Sequence, residues 1–327
     1  MSVPFRGAGL RKALTAGCCA ILLLAPVEFV ARRLLRGRPP IDGVQNRLFR
    51  YDARLGWFPR ERSGGFLTVN TRIFVRHNSD GFRDREHGVK TKPRIAFLGD
   101  SYVWGYDVDE RRRFTELVQA QLPSREILNL GVNGYGNDQE YLLLKDRFDA
   151  LSPDVVFLVF CADNDHWNND SNNVYDGMFK PYYLVENGAL VLRGVPVPRS
   201  VKYYRISSPW LFRSAVSGIL VTGFLRAVQP RAFRNPDPTN AILAETRRFV
   251  EARGARFAVG MQDADADVSG FLSRSGIPWV SLSNPYRFPN EGHWTPAGHA
   301  VVAERIVTFM RKEGLAEGAE PGMGSPR

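Results

Sequence analysis

The chain has 327 residues, enough for one sizeable α/β domain with additions. Its 44% apolar and 24% charged residues are those of an ordinary globular protein rather than a disordered one. The net charge of +10 comes mostly from arginines, but these are scattered, with no basic stripe and no nucleic-acid motif. A solvated surface, or one facing anionic lipid or polymer, is therefore expected in place of a nucleic-acid partner.

Residues 13–31 form an apolar run close to the ~20 residues that span a bilayer. Arg11 and Lys12 precede it, and Arg32, Arg33, Arg36 and Arg38 follow. Glu28 interrupts the run near one end, where it can pair with Arg32 at i+4 or reach the interface. A cleaved signal peptide is the alternative, disfavoured because arginines crowd the exit and no clean small-residue cleavage site follows. The reading is an uncleaved anchor with basic flanks over residues 1–38. Charge counting slightly favours the C-terminal side as cytoplasmic. Cys18 and Cys19 lie in this run and Cys161 lies far from them, so no disulfide is expected.

Residues 39–92, rich in Arg, Gly, Asn and aromatics, read as an extension of short strands and turns. Phe66–Val69 and Ile73–Val75 are strand candidates within it. Asn78-Ser-Asp-Gly-Phe-Arg-Asp84 is a turn-rich approach to the first core strand. From residue 93 strands and helices alternate. Strands are expected at 95–98, 127–130, 155–160, 257–261 and 279–282. Helices are expected at 114–122, 139–148, 239–253 and 268–275, with a last one opened by Thr295-Pro296 and running to about Lys312. Alternation of this kind implies βαβ units, a mainly parallel five-stranded sheet and a three-layer α/β/α sandwich. Residues 166–238 interrupt the pattern and read as an insertion over the active edge. Ala215–Leu225 within it is apolar but too short to span a membrane. The principal domain covers 93–313, and the tail 314–327, made of Gly, Glu and Pro, is expected to be disordered.

Four stretches should meet at the C-terminal edge of the sheet. Gly99-Asp100-Ser101, Asn129-Leu-Gly-Val-Asn-Gly134 and Asp163-Asn164-Asp165 follow strands; Asn290-Glu-Gly-His-Trp294 precedes the last helix. They supply a nucleophile, a close-approach glycine, an amide side chain and an imidazole beside a carboxylate. Acyl transfer through serine needs this set: a base for the hydroxyl proton, a carboxylate to hold the base, and donors for the oxyanion.

With its motifs in this order, the sequence resembles the SGNH (GDSL-type) hydrolase superfamily over about residues 93–312. The resemblance implies Ser101 as nucleophile and His293 as general base. It implies an oxyanion hole formed by the backbone NH groups of Ser101 and Gly134 and the side chain of Asn164. The 78–84 and 129–136 stretches look like bacterial membrane-anchored members, whose catalytic domains generally lie outside the cytoplasmic membrane. A single-pass protein of that membrane with an extracytoplasmic domain is the resulting expectation. The sequence departs from the commonest pattern at the acid: Asn290 occupies the position three before the histidine, and Glu291, two before it, is the expected acid.

Other candidates have plainer readings. His299 is expected to pack or cap inside the last helix, and His166 to line the groove or sit exposed on its loop. Asp163 and Asp165 look like a metal pair only in isolation, and no zinc spacing or phosphate-binding glycine loop is present. Asp100 reads as structural in its turn and Cys161 as a small core residue. Trp104 and Trp167 read either as pocket walls or as packing. No cofactor or metal is expected. The expected activity is that of a serine esterase or deacylase on an ester, such as an O-acetyl group of a glycan. The alternatives are an O-acetyltransferase for an exported polysaccharide, or a non-catalytic scaffold of a membrane assembly.

Overall fold

The computed structural model describes residues 15, 25–33, 47–175, 177–290 and 292–316. The chain forms two compact units, residues 43–199 with 232–327, and residues 1–42 with 200–231. Among the described residues no helix is long and apolar enough to cross a membrane. Most of the expected anchor at 13–31 lies outside those residues.

The larger unit opens with two hairpins, β1 (Phe49–Asp52) with β2 (Gly56–Pro59) and β3 (Gly64–Thr68) with β4 (Arg72–Arg76). The main pattern follows: β5 (Arg94–Leu98), α1 (Ser101–Trp104), α2 (Phe114–Gln121), β6 (Glu126–Asn129), α3 (Asn137–Leu151), β7 (Val155–Phe160) and α4 (Asp165–Asn169). Three short strands come next, β8 (Asn173–Val174), β9 (Met178–Phe179) and β10 (Tyr182–Glu186), and then β11 (Ala189–Arg193). β10 and β11 form a hairpin turned by Asn187 and Gly188, both at positive φ, as a tight two-residue turn requires. In the smaller unit α5 (Val201–Ser207) and α6 (Ala215–Val228) follow. The larger unit resumes with α7 (Thr239–Glu251), β12 (Arg256–Met261), α8 (Ala266–Arg274), β13 (Trp279–Ser281) and α9 (Pro296–Lys312).

All five expected core strands form, in the order β13-β12-β7-β5-β6 and wholly parallel. β5 and β7 are buried along their whole length, which accounts for their unbroken apolar runs. Ile95, Phe97, Val155 and Phe157 face a core completed by Phe114 and Val118 of α2 and by Val302, Ile306 and Met310 of α9. The alternate residues Ala96, Leu98, Val156 and Leu158 are equally buried and point the other way. On that side α3 packs with α7, Phe249 meeting Tyr141 and Phe148 edge-on. The sheet reverses its winding between β5 and β7, and a ligand crevice forms outside the carboxyl ends of such a pair.

Two expectations need correction. The tail does not leave the fold at residue 314: Leu315 is buried in the core and Arg125 donates to the Ala316 carbonyl at 2.9 Å. An apolar side chain and a carbonyl acceptor outweigh the helix-breaking composition there; residues 317–327 lie outside the described ones. The helix expected at 139–148 also starts earlier, at Asn137. Gly136 is its N-cap, and the Asp138 and Asn169 side chains take up free amides of its first turn.

The 78–84 turn holds the extension to the core. Asn78 Oδ1 accepts from the Asp80 and Phe82 amides, and Asp84 Oδ2 accepts from the Asn129 amide at 2.7 Å. Arg83 is fully buried, and its guanidinium donates to the Trp104, Gly105 and Val108 carbonyls, the first of them in α1. These bonds satisfy carbonyls that a four-residue helix leaves open. Arg83→Ala should lower unfolding free energy in denaturant titrations by about 3 kcal/mol, because it leaves several buried carbonyls unpaired. Arg83→Lys should recover only part of the loss, since an ammonium cannot reproduce the fork.

Candidate active site

β5 ends at Leu98, and the chain turns through Gly99 at φ 157°, where a Cβ would lie 2.2 Å from Val103. Asp100 is the N-cap of α1. Its Oδ1 accepts from the Tyr102 amide at 2.9 Å, and Ser101 starts the helix. Ser101 Oγ lies 2.8 Å from His293 Nε2, a bond joining residues 192 positions apart. His293 is delivered by a tight turn in which the Phe288 amide donates to the His293 carbonyl and the Gly292 amide to the Phe288 carbonyl, with Gly292 at φ 70°. α9 then begins with Thr295 as N-cap and Pro296 in its first turn, as expected from the sequence.

The imidazole is held between two aromatic rings. The Tyr102 ring centroid is 4.9 Å from that of His293 and the Tyr106 centroid 4.6 Å, both rings tilted by under 40°. Tyr102 is fixed at its far end: its hydroxyl donates to the Gly292 carbonyl at 3.0 Å and accepts from Gln262 Nε2 at 2.9 Å. Arg287 reaches Asp263 at 3.1 Å and lies 3.7 Å from Asp163. Burial pushes the His293 pKa down to about 4, Asp107 and Asp163 opposing the shift and Arg287 adding to it. A free neutral imidazole can accept a proton from Ser101 over the whole neutral range. Among the described residues His293 Nδ1 is buried without a hydrogen-bond partner. Asn290 is exposed, with no hydrogen bond to His293 among the described residues, and Glu291 lies outside them.

Asp100 reaches across the winding reversal. Its Oδ2 accepts from Asn164 Nδ2 at 2.9 Å, at the end of β7, and lies 3.4 Å from Ser101 Oγ. Burial raises the Asp100 pKa, opposed by these donors. Asn164 Nδ2 also lies 3.4 Å from the Tyr175 hydroxyl. The Tyr175 ring in turn covers Gly134, where a Cβ would come within 2.9 Å of it, and Gly134 has φ 80°. Asp100 and Tyr175 thus link all of the sequence-predicted set that the structure describes: Ser101, His293, Asn164 and Gly134. Tyr102, Tyr106, Tyr175, Gln262 and Arg287 were not singled out from the sequence. The run Ser101-Tyr-Val-Trp-Gly-Tyr106 carried a signal for the first two, aromatic residues beside a nucleophile, whereas the other three come from distant segments.

The remaining candidates fall into place by burial. His299 is buried, accepts from the Phe114 amide through Nδ1 at 3.2 Å and stacks on the Phe114 ring. Trp104 is core, donating to His77 at 3.3 Å, while Trp167 is 40% exposed and meets Tyr175 edge-on. Cys161 is buried, and burial together with Asp100 and Asp165 pushes its thiol well up, which leaves it unreactive. Asp165 is a buried acceptor for the Cys161 amide and for Asn137, and among the described residues no cluster suits a metal ion.

His166 is not a free loop side chain. It bridges Asp237 and Asp265, which raise its pKa to about 9. A folded pKa above the unfolded 6.5 adds stability that is complete below pH 6.5 and is lost as pH rises through 9. Thermal unfolding should therefore show a fall in Tm between pH 6.5 and 9.5 that His166→Gln removes.

The GDSL-like Lipase/Acylhydrolase family model matches residues 97–301, more than half of the chain. No curated protein sequence matches it. Solved structures similar to it include a lipolytic protein of the G-D-S-L family from Veillonella parvula DSM 2008. That match has 12% identity and TM-score 0.38, covering 67% of this chain and 98% of the other. They also include the psychrotrophic esterase EstA from Pseudoalteromonas sp., at 10% identity and TM-score 0.40, covering 68% and 100%. A carbohydrate acetylesterase family member from Sinorhizobium meliloti matches at 12% identity and TM-score 0.36, covering 67% and 98%. These likenesses are too distant to carry an argument, and the family match stands without them: the chain belongs to the GDSL-like lipase/acylhydrolase family.

Proposed function

We propose that the chain is a serine esterase or deacylase, and the observation that carries this reading is the 2.8 Å contact between Ser101 Oγ and His293 Nε2 at the reversal of sheet winding. Ser101 Oγ attacks the ester carbonyl as its proton passes to His293 Nε2. The resulting tetrahedral oxyanion is held by the Ser101 and Gly134 NH groups and by Asn164 Nδ2. Collapse expels the alcohol, which takes the proton from His293. Water, deprotonated by the same nitrogen, then attacks the acyl-serine; the acyl–Oγ bond breaks, His293 returns the proton to Ser101 Oγ, and the acid product leaves.

During both steps His293 carries positive charge. Two tyrosine faces beside it favour the charged ring. Glu291 is assigned as the acid because it is the carboxylate next to this turn in sequence and Nδ1 has no other partner among the described residues. Asn290, being neutral, cannot take that role. The substrate proposed is an ester such as an O-acetyl group on a glycan. The apolar run 13–31 is assigned as a single-pass anchor in a bacterial cytoplasmic membrane; the larger unit is placed on the extracytoplasmic side by the resemblance to membrane-anchored members, against the slight charge bias of the flanks. An acyl-enzyme resolved by a sugar hydroxyl, as in an O-acetyltransferase, would use the same residues, so the acceptor is part of the test.

Hydrolysis of 4-nitrophenyl acetate should be lost in Ser101→Ala and His293→Ala by about 10³-fold or more. A folded protein without Ser101-dependent turnover would overturn the esterase reading. A nearby carboxylate raises a histidine pKa, so the acid limb of kcat/KM should lie above pH 4 in the native enzyme and move down toward pH 4 in Glu291→Gln. An unmoved limb would remove Glu291 from the mechanism, and a gain of activity in Asn290→Asp would assign the acid to that position. Added glycan that captures the acetyl group in place of water would identify a transferase.

A further inference from the structure

The smaller unit is built unlike a surface helical insertion. In α6 no charged residue occurs before Arg226, and the helix is apolar on nearly every side: Ala215-Val-Ser-Gly-Ile-Leu-Val-Thr-Gly-Phe-Leu225. Of its 14 residues only Leu225 is buried. Leu220, Phe224 and Val228, at i, i+4 and i+8, form a stripe exposed by 68%, 66% and 61%. A helix apolar all round is stable only where something other than water covers it. The 25–33 helix, in the same unit, exposes Val27, Phe29 and Val30 in the same way.

These two helices are joined by Glu28, the residue that interrupts the apolar run in sequence. Its carboxylate accepts from the Ala215 amide at 2.8 Å, the Val216 amide at 3.1 Å and the Ser214 hydroxyl at 2.8 Å, and it pairs with Arg32 at 2.6 Å. A carboxylate there satisfies the open amides of α6 and complements its dipole. Arg32 also donates to the Arg213 carbonyl. A groove of about 800 Å³ runs between the two helices, floored by Ala25, Val216, Leu220 and Val221. The charges of the segment 200–231 have one sign: it contains Lys202, Arg205, Arg213, Arg226 and Arg231 and no acidic residue.

We propose that α6 is a second membrane element, lying in the interface of an anionic bilayer beside the chain's own anchor, to which Glu28 fastens it. The helix is about 21 Å long, short of the ~30 Å hydrocarbon core, so it enters one leaflet and does not cross. Basic residues at both ends, Arg213 and Arg226, set both ends at the headgroups, and the 220–224–228 stripe enters the acyl region. The inference rests on the reading of residues 13–31 as an anchor.

The full chain, with Cys18→Ser and Cys19→Ser and an environment-sensitive fluorophore on Leu220→Cys or Phe224→Cys, is reconstituted in phosphatidylcholine–phosphatidylglycerol vesicles. Leu22→Cys, in the expected anchor, serves as the control. The expected result is a blue-shifted probe at 220 and 224, quenched about twofold more by lipids spin-labelled near the headgroup than by lipids labelled deep in the chain, with a smaller shift in neutral vesicles. A water-like probe at 220 and 224 beside a quenched probe at 22 overturns the inference and leaves the anchor standing. Unquenched probes at all three positions overturn the anchor as well. Probes at 220 and 224 shielded from lipid quencher, with copies of the chain cross-linking through the 224 cysteine, overturn the inference in favour of a contact between copies.

Discussion

One buried carboxylate sits where the chain's two central crossovers diverge. Asp100 caps the helix that begins with Ser101 and, through its other oxygen, holds Asn164 at the end of the neighbouring strand. A parallel sheet brings the ends of β5 and β7 near each other, but it leaves the loops beyond them free to choose their direction. A shared acceptor between them removes that freedom. Burial makes the carboxylate costly to charge, and the converging donors offset that cost, so loss of any donor is felt at both strand ends.

A second constraint acts from outside the sheet. Arg83, arriving from the extension, donates to carbonyls at the end of the nucleophile's helix, and Asp84 accepts from the amide of Asn129 on β6. The 78–84 turn therefore belongs to the site mechanically, through the nucleophile's helix and β6 rather than through the Ser101–His293 pair itself. It also explains how so short a helix as α1 can keep one direction. The imidazole is held differently, by ring faces and a glycine turn. Those contacts fix its plane, while burial and the surrounding charges keep it neutral at rest.

The smaller unit obeys another logic. Glu28 looks like a defect when the N-terminal run is read alone, because a carboxylate is expensive in an apolar segment. In the structure it is the acceptor that a second apolar helix needs at its amino end. The same residue thus couples two stretches separated by more than 180 positions, and neither stretch reveals the pairing by itself.

The alternation of apolar runs with amphipathic segments was sufficient to determine the five strands, their parallel arrangement and the principal helices, because buried parallel strands and half-buried helices impose distinct periods on a chain. Local chemistry also determined the Thr295 cap, the pairing of Glu28 with Arg32, and the convergence of Ser101 and His293, since strand ends of one parallel sheet share an edge. Only tertiary structure decided the rest. The aromatic clamp of Tyr102 and Tyr106, the bridge from Asp100 to Asn164, the role of Arg83 and the packing of Leu315 arise from contacts between segments distant in sequence. The grouping of 200–231 with the N-terminal segment has the same origin. Periodicity reports which face of an element is buried, and it carries no information about which distant atom meets a particular side chain there.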